Sequence, residues 1–323
     1  MTPSRRAVTR MLAAAGLAGG APFGAAFAQD APLAPPAPAP EAAPENEDPT
    51  RVGAGRDNAT RMVAPVTING LGPFGFMVDT GANRSCISHE LAEKLTLAAG
   101  PLVSLHTVVA AKLRPTVQVQ NLQVGTRSQR NVTIPVLPMP GADTDGVLGV
   151  DWLKNRRLVL DFKGKSLEIT QPKREASGEN RVVVPARKRS GQLTMIDADV
   201  GGKPISAMID SGSELSIGNA ALRRTLPPPS LADRSNMRRI EMSTLAGERF
   251  GGDLVYVPFM RLGGLTLGNV PVVFADTHVF SLWDLDNKPA IILGMDLLSQ
   301  FTAVALDFGR STVRFDVAPT QLS

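Results

Sequence analysis

The sequence contains very little cysteine, histidine or aromatic side chain. One cysteine among 323 residues excludes an internal disulfide framework and a cysteine-based zinc site. The three histidines lie far apart without a metal-ligand spacing, so we expect no metal and no other cofactor. Hydrophobic residues at 43% and charged residues at 20% are typical of a globular chain. The length allows about two domains.

Apolar runs are short, and the longest lies near the N-terminus. Residues 1–28 combine the arginine pair Arg5-Arg6 with an apolar, Ala/Gly-rich body and the small-residue end Ala26-Phe27-Ala28. This order predicts a twin-arginine signal peptide and a periplasmic or secreted protein. No other stretch approaches the roughly 18 apolar residues of a membrane helix, so we expect no stable membrane insertion after signal cleavage.

Cleavage of this signal also changes the charge of the protein. It removes three arginines and no acidic residue, which lowers the formal net charge from +4 to about +1. Because nucleic-acid binding needs clustered surplus cations, we expect no nucleic-acid partner. Residues 29–61 are rich in Pro, Ala and Glu, which predicts a disordered linker or a propeptide.

The remaining chain contains an internal repeat. Met77-Val78-Asp79-Thr80-Gly81-Ala82 in the first half matches Met208-Ile209-Asp210-Ser211-Gly212-Ser213 in the second, and the two aspartates are 131 positions apart (210 − 79). Val147-Leu148-Gly149 likewise matches Ile292-Leu293-Gly294. We therefore predict two copies of one unit, at residues 62–170 and 182–323, joined by a linker at residues 171–181.

Each copy has the pattern of an all-β domain. Short strands rich in Val, Ile, Leu and Thr alternate with Gly and Pro. A helix is predicted from Ser88 to Leu95, and short turns are predicted at Asp151 and Asp296. These two aspartates are interpreted as helix caps or loop anchors.

The repeated acidic motifs suggest a definite chemistry. A strand that ends in Asp-Thr-Gly or Asp-Ser-Gly presents a carboxylate at a tight turn. Two such turns from a duplicated unit can meet at a pseudo-two-fold axis. Two carboxylates this close share one proton and can polarise a water molecule between them. This is general acid–base catalysis without a metal or a covalent intermediate.

On these motifs the chain resembles the pepsin and retropepsin-like aspartic proteases, as a single-chain version of the retroviral protease dimer. The resemblance covers roughly residues 62–317 and implies two β-barrel lobes related by pseudo-two-fold symmetry. It implies an aspartic endopeptidase that binds an extended polypeptide in the cleft between the lobes. A monomer is favoured, and a homodimer that pairs each lobe with its copy on another chain is the alternative.

The resemblance also implies a role for each motif residue. Asp79 and Asp210 are the expected catalytic pair. The expected supporting residues are Thr80, Gly81, Ala82, Ser211, Gly212 and Ser213. Within this set the hydroxyls of Thr80 and Ser211 brace the two loops, and the glycines let the turns close. The two apolar-Gly motifs are expected to pack beneath the active-site loops.

Two further expectations concern the flaps and the shared proton. Thr107-Val108-Val109-Ala110 and Ser243-Thr244-Leu245-Ala246-Gly247 match the mobile hairpins that cover the cleft in this family. A hydroxyl after the motif favours the ionised aspartate, so Ser213 predicts that Asp210 is ionised and that Asp79 holds the proton. The alternative function is a non-catalytic peptide-binding module with the same fold.

Overall fold

The computed structural model describes residues 49–57, 61–189, 191–227 and 238–318. The expected signal peptide and residues 29–48 of the expected linker lie outside the described residues. Both repeat units belong to one compact body within residues 46–323. In the part of the chain that the structure describes, no helix is both long and apolar enough to cross a membrane.

The N lobe comprises the first repeat unit and the two short strands that precede it, and it consists almost entirely of strands. These are β1 (Thr50–Gly53), β2 (Gly55–Arg56), β3 (Met62–Ile68), β4 (Leu71–Val78), β5 (Cys86–Ser88), β6 (Ala99–His106), β7 (Ala111–Val124), β8 (Arg127–Leu137), β9 (Gly146–Leu148), β10 (Arg157–Asp161) and β11 (Ser166–Thr170). Helix α1 (His89–Lys94) and a 3₁₀ helix (Val150–Leu153) are its short helical segments among the described residues.

The second repeat unit, the C lobe, follows the same order. Its strands are β12 (Arg181–Arg189), β13 (Gln192–Met195), β14 (Ala198–Val200), β15 (Lys203–Pro204), β16 (Ser206–Ile209), β17 (Ile217–Gly218), β18 (Arg238–Ser243), β19 (Arg249–Leu262), β20 (Leu265–Phe274), β21 (Ala290–Leu293), β22 (Ala303–Asp307) and β23 (Thr312–Asp316). Its described helices are α2 (Ala220–Arg223), α3 (His278–Leu282) and α4 (Met295–Leu298).

The strand pairing confirms the predicted all-β fold and the duplication. In the N lobe the ring β3-β4-β9-β5-β8-β7 closes through pairing of β3 with β7. β4 runs parallel to β9, with Met77 opposite Val147, and in the C lobe β16 runs parallel to β21, with Met208 opposite Ile292. The two lobes are therefore copies of one barrel-like unit related by pseudo-two-fold symmetry.

A sheet of six antiparallel strands joins the lobes. Its order is β1-β11-β10-β22-β23-β12, and β10 of the N lobe pairs directly with β22 of the C lobe. Leu158 lies opposite Leu306 in this pairing, and both side chains are fully buried. The alternation of buried and exposed residues in the lobes thus gives way here to strands that are buried on both faces. This sheet holds the two lobes in a fixed relation.

Two expectations need correction. The disordered linker does not extend to residue 61, because Thr50 to Gly53 form β1 against β11 and residues 55–56 pair with β3. This segment has little intrinsic strand signal and is ordered by the partner strands that it contacts. Of the two roles expected for Asp151 and Asp296, the helix cap is excluded, since Gly149 and Gly294 hold the N-cap positions of these turns.

Candidate active site

The two predicted aspartates lie at equivalent places, directly after β4 and β16. The backbone N–H of Asp79 donates to the carbonyl of Leu148 at 3.0 Å, and that of Asp210 donates to the carbonyl of Leu293 at 3.0 Å. The apolar-Gly motifs therefore lie directly beside the acidic turns, as expected. Because β4 and β9, and β16 and β21, are parallel neighbours, each pair of motifs reaches the same sheet end.

Each carboxylate is held in place by its own turn. Oδ1 of Asp79 accepts from the N–H groups of Gly81 and Ala82, at 2.7 and 3.0 Å. Oδ1 of Asp210 accepts from the N–H groups of Gly212 and Ser213, at 2.9 and 3.1 Å. Each carboxyl group also lies against the glycine of the opposite turn, and each influences the pKa of the other. The structure thus brings Asp79 and Asp210 together.

The motif glycines make this approach possible. A Cβ on Gly81 would lie 2.4 Å from Cγ of Asp210, and a Cβ on Gly212 would lie 2.3 Å from Cγ of Asp79. Any side chain at either position would therefore overlap the carboxylate of the opposite lobe. Each lobe leaves room for the acid of the other.

The hydroxyls of Thr80 and Ser211 cross between the lobes. Thr80 Oγ1 donates to the carbonyl of Ile209 at 2.9 Å and accepts from the N–H of Ser211 at 3.1 Å. Ser211 Oγ donates to the carbonyl of Val78 at 2.8 Å and accepts from the N–H of Thr80 at 3.1 Å. Both side chains are fully buried. These four hydrogen bonds fix the distance between the two turns.

The environment raises the pKa of both carboxyl groups, and that of Asp210 more. Burial and the neighbouring charge of Asp79 raise the pKa of Asp210 well above its ordinary value. Burial also raises the pKa of Asp79, but the hydrogen bond with Asp210, the backbone donors and the charge of Arg61 oppose that rise. Two carboxyl groups this close cannot both ionise, so the pair shares one proton.

The Ser213 hydroxyl does not make the contact that the sequence predicted. The Ser213 hydroxyl donates to the carbonyl of Leu215 at 2.7 Å instead of to Asp210. Only its backbone N–H reaches the Asp210 carboxylate, and Ala82 provides the same contact to Asp79. The predicted contact between the Ser213 hydroxyl and Asp210 is therefore wrong, and which acid holds the shared proton stays a prediction.

Two residues lie beside the Asp79–Asp210 pair, which we call the dyad, and were not predicted from the motifs. Arg61 Nη1 donates to the carbonyl of Gly212 at 3.4 Å, and Gln192 Nε2 donates to the carbonyl of Gly81 at 3.0 Å. They are 131 positions apart (192 − 61), the same offset that separates Asp79 from Asp210. Extending the repeat upstream of the motifs would have identified them. One lobe thus supplies a cation, the other a neutral amide.

The dyad opens into a cleft of about 650 Å³. Both predicted flap segments line it, and each is the turn of a hairpin: residues 107–110 connect β6 and β7, and residues 243–247 connect β18 and β19. We call them the N flap and the C flap. Two small apolar clusters flank the cleft. One contains Met77 and Val147, and the other contains Ile217 and Ile292.

The flaps contact each other through the buried carboxylate of Glu248. Oε2 of Glu248 accepts from Thr107 Oγ1 of the N flap at 2.6 Å and from Thr244 Oγ1 of the C flap at 3.1 Å. Lys112 Nζ lies 3.2 Å from Oε1 of Glu248. Next to the N flap, His106 Nδ1 lies 3.1 Å from Nε2 of His278 in α3, across the lobe boundary. No repeated motif marks these residues.

The contacts of Asp151, Asp296 and Cys86 indicate structural roles. Asp151 accepts from the N–H and Oγ of Ser85 at 3.0 and 2.8 Å, and Asp296 makes the same contacts with Ser216. Loop anchoring is thus the observed arrangement. Cys86 is buried beside the cleft, and burial followed by the charges of Asp151 and Asp79 raises the pKa of its thiol to about 12. A thiol with this pKa stays protonated and unreactive.

The described residues contain no group of three or more His, Cys, Asp or Glu side chains that could hold a metal ion. The acidic turns place two carboxyl groups in the cleft, and such a pair can hold and polarise a water molecule.

Comparisons with known proteins identify both repeat units. Residues 64–155 match a family model described as "gag-polyprotein putative aspartyl protease". Residues 196–297 match a second family model, described as aspartyl protease. The two matches lie in tandem, and each contains one acidic turn and its apolar-Gly motif. A search of the curated proteins found no match.

Proposed function

Because the chain belongs to the aspartyl proteases as a tandem pair of retropepsin-like domains, we propose that it is an endopeptidase in which Asp79 and Asp210 activate a water molecule. The observation that carries this proposal is the pair of carboxyl groups that the two acidic turns bring together at the meeting point of the two lobes. Each acid occupies space that only the glycine of the opposite motif leaves free.

The proposed reaction uses the two acids in different protonation states. Ionised Asp79 takes a proton from the water as its oxygen attacks the scissile carbonyl carbon, while Asp210 gives its proton to the carbonyl oxygen. The tetrahedral intermediate then returns a proton to Asp210, and Asp79 gives its proton to the leaving amine as the C–N bond breaks. Both acids end in their starting states, so no other reactant is needed.

The proposed substrate is a polypeptide in an extended conformation beneath the flaps. The flaps are β-hairpins, and the exposed backbone of a hairpin can pair with an extended peptide as an added strand. One chain provides both halves of the cleft, and the pairing of β10 with β22 joins them. We therefore propose that a monomer is sufficient. We also propose that the protein acts outside the cytoplasm, on the basis of residues 1–28.

The test is cleavage of an unfolded protein by the purified mature chain, read by mass spectrometry from acidic to neutral pH. We expect Asp79→Asn and Asp210→Asn each to lower the cleavage rate about 10²- to 10⁴-fold, which is the typical contribution of a general acid or base. Asp284→Asn is the matched control, because the side chain of Asp284 is 91% exposed and pairs only with Lys288 at the surface.

The outcomes separate the possible functions. Loss of cleavage in the two dyad variants, with a normal circular-dichroism spectrum and full activity of Asp284→Asn, would support the peptidase. Equal cleavage in all variants would reveal a contaminating protease and contradict the proposal. Binding of peptides without cleavage by any variant would instead support the non-catalytic peptide-binding module.

A further inference from the structure

The two active-site turns continue into residues of opposite charge. Asn83 and Arg84 follow the first turn, and Glu214 and Leu215 follow the second. At the repeat offset of 131, Asn83 corresponds to Glu214, and Arg84 corresponds to Leu215. Arg84 and Glu214 are both exposed and both line the cleft. The duplicated unit has therefore placed one cation and one anion beside the dyad.

The pseudo-two-fold axis puts these charges on opposite sides of the dyad. Gln192 of the C lobe donates to Asn83 Oδ1 at 2.8 Å, which fixes the first turn on one side. Arg61 of the N lobe donates to the carbonyl of Gly212, which fixes the second turn on the other side. Arg84 and Glu214 thus belong to turns from different lobes and line the same cleft.

The surroundings of Arg84 add to its positive charge. A second hollow shares Asn83 with the cleft and is lined by the exposed lysines Lys154 and Lys188, although Arg84 itself lines only the cleft. Asp151 also lines this hollow, but its carboxylate is engaged by the N–H and hydroxyl of Ser85. This end of the cleft therefore favours an anionic side chain.

The surroundings of Glu214 leave that end negative. Arg61 lies near this turn, and its Nε donates to the buried carboxylate of Asp57 at 2.5 Å, which offsets part of its charge. Glu241 of β18 also lines the cleft, and its partner Arg239 lies 3.8 Å away. This end of the cleft therefore favours a cationic side chain.

We propose that the cleft selects extended peptides of mixed charge, with an acidic side chain next to Arg84 and a basic side chain next to Glu214, on opposite sides of the bond that is cut. This inference rests on the proposed function, since it names the substrate class of the same site. An exposed ion pair typically contributes a factor of about two to five, so the two together give a preference of about 5- to 20-fold.

The experiment uses four peptides with the same apolar centre and different flanking charges. The flanks are Glu and Lys, Lys and Glu, Glu and Glu, or Lys and Lys. Binding of fluorescein-labelled peptides is measured by anisotropy on the Asp79→Asn variant, and kcat/KM is measured on the active chain. We expect the mixed-charge peptides to be preferred in both assays. The preference should fall as salt is raised from about 0.05 to 0.5 M.

Single substitutions should change the preference in opposite directions. Arg84→Glu should favour the peptide with two Lys flanks, and Glu214→Arg should favour the peptide with two Glu flanks. Lys163→Glu and Glu179→Arg are matched controls, because they change the net charge equally at exposed positions that do not line the cleft. Both controls should retain the preference for mixed charge.

Each result decides one of the two proposals. Cleavage of all four peptides within about twofold of one another would overturn the charge selection and leave the peptidase intact. Mixed-charge binding without cleavage would support the charge selection and overturn the peptidase. If the control variants shift the preference as strongly as the cleft variants, net charge explains it, and the assignment of Arg84 and Glu214 is overturned. Absence of both binding and cleavage would overturn both.

Discussion

The guanidinium of Arg61 and the amide of Gln192 occupy equivalent places on the two lobes, but only Arg61 carries a charge. The positive charge of Arg61 opposes the rise that burial causes in the pKa of Asp79. We expect Arg61→Gln to raise that pKa, so the acidic limb of the pH–rate profile should move to higher pH. The measurement is kcat/KM of a peptide substrate from pH 2 to pH 7 by about half-unit steps.

Two control variants distinguish this effect from general damage. Asp57→Asn keeps the cation but removes the carboxylate that pairs with it, so the acidic limb should move to lower pH. Ser213→Ala should leave the limb in place, because its hydroxyl donates to Leu215 and not to Asp210. A shift in Ser213→Ala with none in Arg61→Gln would contradict this account of the dyad.

At the scale of single elements, Glu248 holds the two flaps together. Burial acts to raise its pKa, but hydrogen bonds from Thr107, Lys112 and Thr244 outweigh burial and leave the pKa below its ordinary value. Charge-assisted hydrogen bonds contribute about 1.5 to 3 kcal/mol each. We therefore expect Glu248→Ala to speed amide hydrogen exchange in the N flap and C flap at least about tenfold at pH 7.

The pH dependence of the flaps has a definite sign. The pKa of Glu248 is lowered in the folded protein. The stability that its carboxylate gives to the flap contact is therefore complete above the ordinary glutamate pKa and is lost as the pH falls through the lowered value. Glu241→Gln is the control, since Glu241 is exposed and its ion pair is long. Equal flap protection in Glu248→Ala and the control would show that other contacts keep the flaps closed.

The elements also show which features the sequence encodes locally. Ser88 accepts from the N–H of Leu91 as the N-cap of α1, so the start of this helix could be predicted from one residue. The dyad was readable because repetition marks both turns. β1 was not, since Thr50 to Gly53 acquire strand geometry only by pairing with β11, about 115 residues later. Glu248 was missed because two of its partners, Thr107 and Lys112, come from the other lobe.

At the scale of the whole molecule, the pair formed by Asp79 and Asp210 exists only while the lobes stay joined. Neither lobe contains both acids, and each motif glycine makes room for the carboxylate of the other lobe. The buried hydrogen bonds of Thr80 and Ser211, next to the dyad, and the pairing of β10 with β22, farther away, both keep the lobes together. Any loss of lobe contact would therefore separate the two carboxylates.

The connecting segment between the lobes adds a buried ionic contact to this interface. Glu175 accepts from Arg157 of β10 at 3.0 and 3.1 Å and from Arg314 of β23 at 2.6 Å. Burial acts to raise the pKa of Glu175, but the two guanidinium groups outweigh it and lower the pKa. Glu175→Gln would leave the buried guanidinium of Arg157 facing a neutral amide, so we expect a loss of about 3 kcal/mol in the free energy of unfolding at pH 7.

Urea denaturation of both proteins between pH 7 and pH 3 measures this loss. The difference should be constant above the ordinary glutamate pKa and should shrink as the pH falls through the lowered pKa of Glu175, because protonation removes the same charge in the wild-type chain. Glu179→Gln, in the same segment but exposed, should match the wild type throughout. If Glu175→Gln were as stable as Glu179→Gln at pH 7, the contact would not hold the lobes together, and the pairing of β10 with β22 and the hydrogen bonds of Thr80 and Ser211 would account for their fixed relation.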